Sequence, residues 1–166
     1  MEHLQRLTRY RAWADETLLA AVRALPAREL TAPQPIVFGS LLRTLHHVQA
    51  MDAVWRAHLL GEAHGYNTRN PEACPAFEAL AERQHALDRW YVDYADALTA
   101  DAAARVVEFE FIGGGRGALT RGDIVLHVVN HATYHRGHVA DMFYRCGATP
   151  PVTDLPVYLR AQVGAA

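Results

Sequence analysis

The sequence predicts an all-α protein, a single domain over residues 1–166 built as a four-helix bundle with a short β-hairpin inserted before the last helix. Four stretches step their apolar residues by three and four, the period that collects them on one face of a helix. Capping residues and helix breakers punctuate those stretches. One short segment alternates instead and runs into glycines, as a hairpin would.

The first helix spans residues 4 to 25, with Leu4, Leu7, Ala14, Leu18, Ala21 and Leu25 in one stripe, and Pro26 ends it. After the connector TAPQPIVFG, Ser40 caps a second helix whose stripe is Leu41, Leu45, Val48, Trp55 and Leu59, and Gly61 stops it. A loop rich in Gly, Asn and Pro runs to about residue 75. The third helix, Phe77 to about Leu98, turns Phe77, Leu80, Leu87, Tyr91, Tyr94 and Leu98 inward.

RVVEFEF, residues 105 to 111, is β-branched, aromatic and alternating, and GGGRG supplies its turn. No GK[ST] follows those glycines, so they are read as a turn and not as a phosphate cradle. Thr120 and Asp123 form a capping-box variant that opens the fourth helix, which runs to Cys146 and closes at Gly147 ahead of Pro150 and Pro151. Gly137 lies inside it at a cost of about 1 kcal/mol relative to alanine, which predicts close approach of another helix there.

A chain of 166 residues buries roughly 70% of its unfolded surface, enough for an internal site. Composition narrows the chemistry. All 16 basic residues are arginine, which excludes Schiff-base and lysine-base mechanisms. The one serine, Ser40, is a helix cap and not a nucleophile. The net charge is −2 with arginines scattered among acids, so nucleic acid is not an expected partner. No apolar run approaches the ~20 residues of a membrane span, and the mixed-charge N-terminus predicts a cytoplasmic protein without a cleaved leader. Cys74 and Cys146 read as free thiols.

The fourth helix holds four histidines in HVVNHATYHRGH. At ~100° per residue, His131 and His135 fall within or at the edge of the apolar arc of Ile124, Val128, Val139, Met142 and Cys146, while His127 and His138 lie just outside. An inward i, i+4 pair of imidazoles can meet on one ion. The pair lacks the inner glutamate of HExxH, so no metalloprotease-type base is built in. A third ligand must come from a facing helix, and the second helix offers adjacent His46 and His47, between which periodicity does not choose.

YRAWADETLL (10 to 19), GSLLRTLHHVQAMDAVW (39 to 55), NHATYHRG (130 to 137) and G-x-x-P-P with Asp154 following resemble, in order and over nearly the whole chain, the DinB/YfiT-like family. The resemblance implies a four-helix bundle holding one divalent metal ion, zinc or nickel, through His47, His131 and His135. It selects His47 because Asp52 and Trp55 follow at the matching distances. It leaves His127, Tyr134, Arg136 and His138 at the rim or behind the ligands, with His138 standing where many relatives carry glutamine. Asp52 lies on an apolar stripe and needs a partner, an arginine or tyrosine, or else a ligand histidine that it orients.

Several such relatives are thiol-dependent transferases or isomerases. The expected activity is therefore a metal-dependent transferase in which a low-molecular-weight thiol is the cosubstrate attacking a small electrophile. The alternatives are a metal-dependent hydrolase and a non-catalytic metal-binding stress-response protein. Tyr134 and Arg136 are candidates for substrate contact, and a homodimer is the expected assembly.

Overall fold

The computed structural model describes residues 1–163. Four long helices, α1 (Glu2–Arg23), α3 (Leu41–Leu60), α4 (Phe77–Ala97) and α6 (Arg121–Arg145), form the bundle. Short helices α2 (Ala27–Thr31), α5 (Ala100–Ala103) and α7 (Leu155–Val163) join or flank them, and a hairpin of β1 (Val106–Glu110) and β2 (Arg116–Thr120) precedes α6.

The expected punctuation is present. The Ser40 hydroxyl accepts from the Arg43 amide, and Gly61 takes the left-handed conformation that closes α3. The Thr120 hydroxyl accepts from the Asp123 amide at the start of α6. The hairpin is antiparallel with Phe109 opposite Gly117, where a β-carbon would come within 2.6 Å of the Phe109 ring. The glycine at 117 therefore makes room for that aromatic.

Helix α1 packs against α4 and α6, and α3 against the same two. One end of the core joins Leu18, Leu19 and Val22 to Leu41, Leu42, Leu45, Leu80, Val139 and Phe143. The other joins Leu4 to Leu59, Tyr91, Ala95, Ile124 and Val128. These sets fix the directions: α1 and α6 run one way, α3 and α4 the other. Because α3 and α4 are parallel, the segment 61–76 must return the length of α3, about 30 Å at 1.5 Å per residue. It does so lying along α3, where the Glu72 carbonyl meets Arg43 and the Cys74 thiol meets the Leu42 carbonyl. Every residue from Thr44 to Asp52 is buried, between this strap and the packing of α3 on α4 and α6.

The apolar stripe of α1 omits position 11, and a polar layer occupies the space between the two core clusters there. Arg11 is buried and pairs with Asp52 of α3, with Asp15 at 3.2 Å and with Asp88 of α4 at 3.4 Å. Gln84 donates to Asp52 at 2.9 Å and to Asp88 at 3.0 Å, and the Tyr91 hydroxyl donates to the Asp52 carbonyl. Burial raises Asp52 to about 6 against the pull of Arg11, and raises Asp88 well above the usual carboxylate range.

One sequence expectation needs correction, and one candidate residue lies away from the histidines. Gly137 does not mark close helix packing: a β-carbon there would meet nothing within 4 Å, because the residue lies on an exposed face of α6. Arg136, a candidate for substrate contact, does not line the histidine cleft. Its side chain is buried toward α1, donating to the Tyr10 hydroxyl at 2.8 Å and pairing with Asp15 at 3.5 Å.

Candidate metal centre

Two helices and one loop position the histidines. His131 and His135 project from one face of α6, one turn apart, and α3 turns His47 toward them from the opposite wall. His47 Nε2 lies 3.2 Å from His131 Nε2, which lies 3.1 Å from His135 Nε2. Nitrogens bound at about 2.0–2.1 Å around a tetrahedral zinc ion stand roughly 3.3 Å apart, so the spacing suits a shared ion. His46 is buried with its pKa lowered by burial and by the charges of Arg43 and Arg83, and it takes no part in the cluster.

Tautomers support the same reading. His47 Nδ1 lies 2.6 Å from the Arg69 carbonyl of the strap, which can only accept. The proton is therefore on Nδ1, and the Nε2 lone pair faces the cluster. His135 Nδ1 lies 3.2 Å from His138 Nδ1; in the tautomer in which His135 Nδ1 donates, His138 accepts and the His135 Nε2 lone pair is free. With lone pairs on His47 and His135, the three nitrogens share at most one proton, that of His131 Nε2, and two acceptors must compete for it. A cation satisfies all three, and the donor set fits a divalent metal.

Burial, reinforced by the neighbouring imidazoles, lowers His131 to about 3 and His135 to about 4. Burial also lowers His47, against the Arg69 carbonyl bond. All three are neutral at physiological pH, the form that binds metal.

The cluster forms the floor of a cleft of about 860 Å³. Met51, Val54 and Trp55 of α3 make one wall, Val37 and Phe38 another, and the hairpin turn Phe111 to Gly114 a third. Phe38 stacks on His47 at 4.2 Å between centroids and meets His135 edge-on, which locks both rings. Ile112 packs on Met51 and Val54, so the glycine turn is a wall of the cleft, consistent with its reading as a plain turn.

The other sequence candidates are placed as follows. His127 lines the cleft and stacks on His131 at 5.6 Å, behind the ligand set. Tyr134 is exposed and meets His135 and His138 edge-on. Asp52 lies in the Arg11 layer and bonds to none of the three histidines. His58, which the sequence does not single out, lines the cleft beside Trp55. No periodicity marks it, because it sits near the end of α3 off the apolar stripe. The Arg69 carbonyl is likewise invisible in the sequence, since a backbone acceptor has no residue identity.

Comparison with known proteins agrees with this architecture. The sequence model of the DinB family matches residues 1–165. The chain is 23% identical over 160 residues to protein DinB of Bacillus subtilis (strain 168), covering 93% of this chain and 92% of that protein. Its fold is similar to the crystal structure of a DinB-like protein from Bacillus cereus ATCC 10987, with a TM-score of 0.66 at 16% identity over 92% of this chain and 96% of the other. From the sequence match over its length, the chain belongs to the DinB family.

Proposed function

We propose that this protein is a metal-dependent transferase that uses a low-molecular-weight thiol to attack a small electrophile. The observation that carries the reading is a ligand set of three neutral imidazoles, with no carboxylate, at the floor of an open cleft. A divalent ion held there by His47, His131 and His135 keeps its full positive charge and an accessible side, and favours the thiolate form of a thiol that binds beside it.

The chain's own residues supply the rest. The Arg69 carbonyl and His138 hold His47 and His135 in the tautomers that point Nε2 inward. Phe38, Trp55 and Phe111 restrict water around the reacting atoms. The thiol loses its proton to solvent at the cleft mouth, its sulphur bonds to the electrophilic carbon, and the leaving group departs with the bonding pair.

The test is conjugation of bacillithiol, mycothiol or glutathione to a panel of electrophiles by zinc- or nickel-loaded protein. Turnover that disappears in the His131→Ala/His135→Ala variant is expected; no conjugation with any pair overturns the reading. A second reading, a metal-dependent hydrolase, is favoured by His58 and His127, which give the cleft proton acceptors that the sequence motif lacked. Ester hydrolysis without added thiol would place it first. The protein is proposed to work as a homodimer, which light scattering on the purified chain tests.

A further inference from the structure

The lining of the cleft is chemically one-sided. Apart from the histidines its side chains are Val37, Phe38, Met51, Val54, Trp55, Phe111 and Ile112 with a single arginine, Arg69, and no carboxylate. Val37 is 78% exposed and Phe111 49% exposed, although both line the same concavity, so the chain leaves large apolar groups facing solvent at the cleft walls. Such surface is costly unless something covers it.

Arg69 is the arginine that lines this cleft. Its backbone carbonyl is tied to His47, which fixes its place at the cleft, while its side chain is exposed and makes no ion pair among the described residues. A cation without a local acid, at the edge of a cleft that carries no negative group, attracts anions.

We propose that the electrophile taken by this cleft is an apolar molecule bearing one carboxylate, its hydrocarbon body against Trp55, Phe111 and Ile112 and its anionic group on Arg69. This rests on reading the cleft as the substrate site, and it adds the substrate's chemical class. Neutral apolar electrophiles would fill the same walls but leave Arg69 unused; polar ones would leave Phe111 and Ile112 uncovered.

The experiment measures binding, without turnover, of 2-naphthoate and its neutral analogue 2-naphthamide by calorimetry, to zinc-loaded and to metal-stripped protein. Naphthoate is expected to bind at least about tenfold tighter than naphthamide in both forms, as a charge-assisted hydrogen bond provides. Arg69→Gln is expected to erase that preference, and Phe111→Ser to weaken both probes by about fivefold or more. Equal binding of the two probes to the wild type overturns the proposal. So does a preference that survives Arg69→Gln and vanishes on metal removal, because the ion would then be reading the anion. Unchanged binding in Phe111→Ser overturns the assignment of the apolar body. Failure of thiol transfer with the naphthoate preference intact would instead fault the transferase reading alone.

Discussion

Arg11 and its neighbours show how single residues set the interior. Arg11 and Arg136 bring two positive charges to the layer, and Asp15, Asp52 and Asp88 three negative ones. The excess negative charge is relieved if one carboxyl keeps a proton. Asp88 is the natural holder, since its nearest cation is 3.4 Å away and its Oδ2 has no partner among the described residues. A folded-state pKa above the ordinary aspartate value of ~3.9 stabilises the fold below that value, and the contribution is lost as pH rises through the folded pKa. The amide introduced by Asp88→Asn cannot titrate, and its oxygen still accepts from Gln84. The melting temperature of Asp88→Asn is therefore expected to gain on the wild type as pH rises above about 4 and to level off once pH passes the raised folded-state pKa; a constant offset would contradict the assignment.

His138 makes a second residue-scale prediction. His138→Leu removes the acceptor of His135 Nδ1 and is expected to weaken zinc binding by about 10-fold to 100-fold. In His138→Gln the side-chain oxygen can replace it, so most affinity should return. Competition with a chromophoric chelator reads both. His131 and His135 were legible because HxxxH on an apolar face is a spatial statement, whereas His47 was separated from His46 only by the family resemblance. Arg11 left a signal too, the charged position between Leu7 and Ala14 in the stripe of α1, but its partners on α3 and α4 could not be read from one helix.

At the scale of elements, periodicity located the four long helices to within about two residues, because a buried face needs a regular stripe. It missed α2, α5 and α7. These are too short for a stripe, and local features hold them, such as the Thr99 hydroxyl that accepts from the Ala102 amide. Gly137 was misread because a helical glycine has two explanations, close packing or a tolerated defect, and sequence does not separate them. The open space around it predicts that Gly137→Ala stabilises the protein by about 0.5–1 kcal/mol in urea unfolding. Loss of stability instead would mean that this face is covered in the assembled protein.

For the whole molecule, the pairing of parallel neighbours, α1 with α6 and α3 with α4, was not legible. An apolar stripe shows which face is buried and not which helix covers it. The arrangement has an energetic consequence at the centre, since His47 and His131 are 84 positions apart in the chain and meet only when α3 and α6 are docked. Unfolded chain then lacks the site, and metal binding adds to folding stability by mass action, about 2.7 kcal/mol at a free metal concentration 100 times Kd. Zinc is accordingly expected to raise the melting temperature by roughly 5–10 °C, and to leave the His131→Ala/His135→Ala variant unmoved. Differential scanning calorimetry of stripped and loaded protein measures it.

The strap over α3 holds His47 through a carbonyl, and every amino acid carries one. Substitution at position 69 therefore leaves the His47 contact in place provided the backbone path is kept. The side chain at 69 and the carbonyl that holds His47 are thus separable features of one residue. If Arg69 reads the ligand as proposed, a substitution there changes what the cleft accepts without rebuilding how it holds its histidine.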